Sequence, residues 1–208
     1  MKPATRKEEV PASLRHPPLV LRLRPVVNLT GDQLLELASL NGDLRLELTA
    51  KGELIVMPPT GTETGGGSAE ITIQLGVWAK QDGTGRTFDS STGFTLPNGA
   101  IRSPNASWVL RSRIEALTAE QYRKYAPLCP DFVIELHSPS DSLRATQEKM
   151  REYLENGRAW DGSWIPDTSG STSTVQIPRS GNWRTRRPSP VNPSSPASHW
   201  TCARCGEP

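Results

Sequence analysis

Leu44, Leu46 and Leu48 alternate with polar residues, Lys51-Gly52 turns the chain, and Glu53–Met57 follows, a pattern that predicts a β-hairpin. Upstream, Thr30 stands as an N-cap before a short helix with Leu34, Leu35, Leu37, Ala38 and Leu40 on its apolar face, ended by Asn41-Gly42. Pro58-Pro59 stops the hairpin. From about Thr62 to Lys80 an interrupted helical period predicts a longer helix, with Ala69, Ile73, Leu75, Val77 and Trp78 as candidate core positions. Gly65-Gly66-Gly67 weakens its first turn, by about 1 kcal/mol per glycine relative to alanine. Arg86–Ser90, Gly93–Leu96 and Ile101–Val109 read as three strands, the last two joined by a Pro97-Asn98-Gly99 turn. Thr118 caps a short helix running through Lys124. Asp131–Leu136 reads as a strand with a buried stripe. Asp141 or Ser142 then caps a helix over Leu143–Glu155, which ends at Asn156-Gly157. Residues 1–27, rich in Pro and Arg, read as an extended arm, and residues 28–157 as one domain.

Composition changes the picture after Gly157. Residues 1–157 contain 21 Leu and residues 158–208 none, while the tail holds four of the six Trp and 25 Pro, Ser, Thr and Gly among its 51 residues. A disordered linker is poor in Trp, so the tail does not read as an ordinary one. Charge divides at the same place. Six Arg and three acids give the tail +3, and 18 basic against 19 acidic residues give the rest −1. The overall +2 is therefore no sign of a basic nucleic-acid-binding surface. There is no apolar run of transmembrane length and no apolar leader, so a cytoplasmic location without membrane association is expected. Cys202-Ala-Arg-Cys205 is a lone CxxC without a second ligand pair and reads as chance.

The chemistry lies between Ser103 and Tyr153. Ser103-Pro-Asn105, Pro130-Asp-Phe-Val-Ile-Glu135, and Lys149 followed by Tyr153 read as strand, strand and helix. They can bring a polar residue, a carboxylate and an ammonium together, the layout of a metal-dependent phosphodiester-cleaving site. Asp131 and Glu135 lie four residues apart on one strand, so their α-carbons are about 13 Å apart and do not readily share a metal. Positions on neighbouring strands lie about 5 Å apart, which favours 105 with 135.

The chain resembles the Uma-type restriction endonucleases, bacterial members of the PD-(D/E)xK nuclease superfamily, from about Val27 to Gly157. The resemblance is carried by Gly52-Glu-Leu-Ile-Val-Met-Pro-Pro-Thr-Gly61, Phe88-Asp-Ser-Ser-Thr-Gly-Phe94, Leu96-Pro-Asn-Gly, Arg102-Ser-Pro-Asn-Ala-Ser-Trp108, and Cys129-Pro-Asp-Phe-Val-Ile-Glu-Leu136 through Ser138-Pro-Ser. It implies an α+β fold, a central restriction-endonuclease-like mixed β-sheet flanked by helices, with Mg²⁺-dependent DNA cleavage as the activity. DNA is the implied partner, and a homodimer is admissible. By position, Asn105 takes the metal-binding aspartate site and Glu135 the acidic site of the next strand, as metal ligand and catalytic residue. His137 stands where the usual lysine would, and the resemblance points to Lys149 on the following helix instead. Glu47 matches a recurrent glutamate, as a further ligand or base, and Glu70 is a weaker candidate. An amide at 105 removes a charge that holds this hard ion, so severe loss of catalysis is expected. The alternatives are a non-catalytic nucleic-acid-binding remnant and a decayed reading frame.

Relatives by resemblance continue after the helix with roughly Ala-Arg-Leu-Gly-Trp-Leu-Leu-Asp-Pro, where this chain has Arg158-Ala-Trp-Asp-Gly-Ser-Trp-Ile-Pro166. Regrouping each codon's last base with the next two forces Gly across Trp160-Asp161 and Asp across Trp164-Ile165, and synonymous codons permit the rest. Residues 158–208 therefore read as a frameshifted, disordered tail. Its divergence is expected to remove part of the sheet, expose the Asp131–Leu136 edge, and prevent Asn105→Asp alone from restoring activity.

Overall fold

A computed structural model describes residues 18–136, 142–157 and 172–176. The elements are β1 (Leu19–Arg22), α1 (Gly31–Leu40), β2 (Arg45–Leu48), β3 (Glu53–Met57), α2 (Thr62–Asp82), β4 (Gly85–Asp89), β5 (Phe94–Thr95), β6 (Ile101–Arg102), β7 (Ala106–Leu110), α3 (Arg111–Glu115), α4 (Ala119–Arg123), β8 (Phe132–Leu136), α5 (Leu143–Asn156) and β9 (Thr172–Gln176). The α+β class holds, with helices flanking the sheets. The described strands form two sheets, in the orders β1-β3-β2-β6-β5 and β4-β7-β8-β9, and every ladder between them is antiparallel.

Local chemistry sets the elements of the first sheet. Thr30 and Gln33 form a reciprocal capping box that satisfies two otherwise orphaned N–H groups at the start of α1. Gly52, at φ +80°, makes the turn that folds β3 back on β2. Leu46, Leu48 and Leu54 pack with Leu34 of α1 and Ile101, which leaves Glu47 on the opposite face of β2. Residues 19–22, expected within the arm, pair with β3 as an edge strand.

The stretch read as one strand over 101–109 is two. β6 pairs with β2 in the first sheet, and β7 pairs with β4 and β8 in the second. Ser103-Pro104-Asn105 is the crossing, where Pro104 has no N–H to give a ladder. The site is built around this crossing.

In the second sheet β8 buries both faces. Ile134 and partly buried Phe132 pack with Leu75 and Ala79 of α2 and with Trp108. Val133 packs with Met150 and Tyr153 of α5. Period-two alternation therefore puts Glu135 on the α5 side. A β-carbon on Gly67 would stand 3.2 Å from Leu136, so one of the helix-weakening glycines is where α2 passes close to β8. Of the core positions expected on α2, Leu75 is buried and Trp78 partly so, whereas Ala69, Ile73 and Val77 are exposed. Apolar residues surround this helix, so periodicity alone did not select the buried stripe.

β9 pairs with β8 from Phe132↔Gln176 to Leu136↔Thr172. The edge expected to be bare is covered, and the sheet does not end at Gly157. Residues 1–17 of the arm, His137 through Asp141, and the rest of the tail with Cys202 and Cys205 lie outside the described residues. Among the described residues no helix is long and apolar enough to cross a membrane.

Candidate active site

Glu47 lies 1% exposed where the two sheets meet. Its Oε1 accepts from the Ser103 backbone N–H at 3.0 Å and from Lys149 Nζ at 2.7 Å, and its Oε2 accepts from Arg102 Nη1 at 3.1 Å. Burial pushes this carboxyl up. The Lys149 ammonium and then the Arg102 and Arg45 guanidiniums outweigh burial and hold its pKa down at about 2. A carboxylate that acidic is a weak proton acceptor at neutral pH, so its surroundings favour a ligand or ion-pair role over a base.

Lys149 also reaches Glu135, with Nζ at 2.7 Å from Oε1, so one ammonium bridges two carboxylates. The same Glu135 oxygen accepts from the Tyr153 hydroxyl at 3.1 Å. Burial first, then the charges of Glu135 and Glu47, raise the Tyr153 phenol well above its ordinary value, so it stays a neutral donor. Lys149 and Tyr153 are four residues apart on α5, one helical turn, which stacks both against β8.

Asn105 is buried and immediately precedes β7, one residue before the Ala106↔Ile134 pair that ends the β7–β8 ladder. Its Oδ1 accepts from the Leu136 N–H at 3.1 Å, so the amide oxygen serves the β8 backbone. Of the expected residues, Glu47, Glu135 and Lys149 are thus joined, and Asn105 lies beside them with its side chain bound to the backbone next to Glu135. Glu70 is not; it is exposed on α2, where it accepts from Gln74. Asp131 is also apart, accepting from the Leu110 N–H at 2.9 Å and from Arg113 at 2.9 Å.

Sequence reasoning missed the outer half of the cluster. Arg102 Nε donates to Glu152 Oε2 at 2.5 Å, and Glu152 Oε1 accepts from Asn98 in the turn between β5 and β6. Burial opposes the Arg102 charge, but Glu47 and then Glu152 outweigh it and raise its pKa. The available signal was Arg102 itself, a charged residue in the strand before Ser-Pro-Asn, and Glu152 three residues after Lys149 on the same helix face.

The oxygen donors are of the type Mg²⁺ takes, but as arranged they do not fit it. Both Glu47 and Glu135 are already paired to one ammonium, and the third donor is a neutral amide bound to backbone. Among the described residues no group of three acids, His or Cys is assembled to hold a metal ion.

An α+β frame with carboxylates, an amide and a lysine gathered at the end of a strand pair has the features of a restriction-endonuclease-like protein. The sequence model of the Uma2 family, described as "Putative restriction endonuclease", matches residues 32–199, and the chain belongs to that family. The match runs past Gly157, through the stretch that contains β9. A crystal structure of a putative nuclease belonging to DUF820 from Anabaena variabilis is similar, with 20% identity, a TM-score of 0.48, and coverage of 62% of this chain and 69% of that one. No curated protein matches the chain.

Proposed function

We propose that this chain is a DNA endonuclease of the restriction-endonuclease-like type whose Mg²⁺-dependent cleavage is silenced at position 105. The observation that carries the reading is the joining of Glu47 and Glu135 through the Lys149 ammonium, with Asn105, at the head of β7, bound to the Leu136 backbone next to Glu135. Three acids at 47, 105 and 135 would supply the negative charge a hard divalent ion needs; two acids and an amide supply one charge fewer. The family resemblance gives Lys149 the role of orienting the attacking water; in this chain its ammonium is paired with both Glu47 and Glu135.

Supercoiled plasmid incubated with Mg²⁺ tests this. The unmodified chain leaves it intact. Asn105→Asp nicks or cuts it, because β9 supports the strand that carries Glu135. Glu135→Ala or Lys149→Ala in that background abolishes the activity. Cleavage by the unmodified chain that survives Glu135→Ala overturns the assignment. Salt-sensitive DNA binding by folded Asn105→Asp without cleavage makes the chain a binding remnant instead.

The out-of-frame origin of residues 158–208 is a separate proposal, supported by the disappearance of Leu after Leu154. Restoring one base near the Gly157 codon opens a frame through an apolar strand. Regrouped codons that run into stops overturn it.

A further inference from the structure

The bridging position of Lys149 bears on why the site does not fit a divalent ion. Its Nζ lies 2.7 Å from Glu47 Oε1 and 2.7 Å from Glu135 Oε1, and its side chain is only 15% exposed. An ammonium hydrogen-bonds at about this distance, whereas Mg²⁺ draws oxygens to about 2.1 Å. The two oxygens converge on a point that a small cation would occupy, and the ammonium is already there.

Charge supports the same conclusion. Glu47, Glu135 and Glu152 face Arg102 and Lys149 within the hydrogen-bonded cluster, and Arg45 also acts on Glu47. Three acids and three cations leave this largely buried neighbourhood neutral. A divalent ion entering it would be uncompensated, and burying uncompensated charge is strongly unfavourable. The ion would also have to expel Lys149 from both of its partners.

We propose that the Lys149 ammonium is the resident cation of this site, filling the place between Glu47 and Glu135 that a divalent ion would have to take from it. The reading rests on the proposed nuclease site and adds that, with an amide at 105, the ammonium outcompetes a divalent ion for the two carboxylates, a balance that one further negative charge at 105 or the loss of the ammonium tips the other way. Removing the ammonium charge changes the neighbourhood by the same single unit as converting Asn105 to an acid, and in addition empties the position between the carboxylates. Lys149→Met, which keeps an apolar stem, therefore gains divalent-ion binding with Asn105 still in place.

Mn²⁺ binding followed by electron paramagnetic resonance tests this on the unmodified chain, Lys149→Met and Asn105→Asp. The unmodified chain is expected to bind weakly and Lys149→Met about tenfold or more tightly, which corresponds to about 1.4 kcal/mol. Glu135→Gln in the Lys149→Met background removes the gain. A folded Lys149→Met that binds no better than the unmodified chain overturns the inference, and binding by Asn105→Asp in the same series leaves the proposed nuclease site standing. Conversely, a Lys149→Met gain alongside an Asn105→Asp that neither binds nor cleaves retains the resident cation and rejects the silenced nuclease. Should Lys149→Met not fold, the Lys149 Nζ–H resonance of isotope-labelled unmodified protein decides. Under millimolar Mg²⁺ it stays unmoved if the ammonium holds the site, and a Mg²⁺-dependent displacement overturns the proposal.

Discussion

Asp131 and Glu135 begin and end the same short run, Asp-Phe-Val-Ile-Glu, yet the structure puts them to different uses. Asp131 accepts from the Leu110 N–H where β7 gives way to α3, and pairs with Arg113, whose side chain is 39% exposed. Glu135 is 5% exposed and shares Lys149 with Glu47 while Tyr153 donates to it. One carboxylate ties off a strand end near solvent; the other belongs to a buried ionic cluster. The literal Pro-Asp pair of the sequence marks the first, and the chemistry gathers around the second. Surroundings, not residue type, separate a structural acid from a site acid.

Removing a member of the buried cluster should break that contrast most strongly. Glu47→Ala strands Arg102 and deprives Lys149 of one partner, and an uncompensated buried charge costs about 3–5 kcal/mol. Urea unfolding measures it; a loss as small as that of a surface acid would mean the cluster is not held as described. A smaller loss, about 1–2 kcal/mol, is expected for Asp131→Ala, where the Arg113 charge it releases can hydrate. Equal losses at the two positions would erase the distinction between them.

Acid sharpens the comparison without mutation. The Glu47 pKa is held at about 2 in the folded chain against an ordinary 4.5. Its contribution to stability, on the order of 3 kcal/mol, is therefore fully present above pH 4.5 and lost as pH falls through 2. Glu47→Gln should lower stability near neutrality and flatten that acid limb. An unchanged acid limb in Glu47→Gln would place the titration elsewhere. Truncation after Gly157 removes β9, uncovers the β8 edge, and is expected to make the shortened chain aggregate. A truncated chain as soluble and as stable as the full one would show that β9 contributes nothing.

Much of this arrangement was legible in the sequence because it depends on local chemistry. The Thr30 cap, the Gly52 turn and the helix ending at Asn156-Gly157 are each fixed by a few neighbouring residues. Glu47, Asn105, Glu135 and Lys149 were identified together by resemblance, and the α5 packing that joins them follows from the spacing of Lys149, Met150 and Tyr153. What stayed hidden depends on partners distant in sequence. The crossing at Pro104 separates β6 from β7 because each finds a different sheet, and the buried stripe of α2 is chosen by β7 and β8 rather than by its own period. β9 was missed because Thr-Ser-Thr-Val-Gln has little apolar content of its own and is defined by the edge it covers. Arg102 and Glu152 were missed because a charged pair is assigned to solvent until burial is seen.

Metal-linked stability tests most directly the claim that the unmodified cluster is a closed ion-pair network rather than a metal centre. A ligand that binds only the folded chain raises its stability, by about 2.7 kcal/mol at a hundred times its Kd. Melting of the unmodified protein and of Asn105→Asp, each with and without millimolar Mg²⁺, reads this out. The account predicts no Mg²⁺-dependent change in Tm for the unmodified chain and a clear rise for Asn105→Asp. A rise of the same size in both would contradict it.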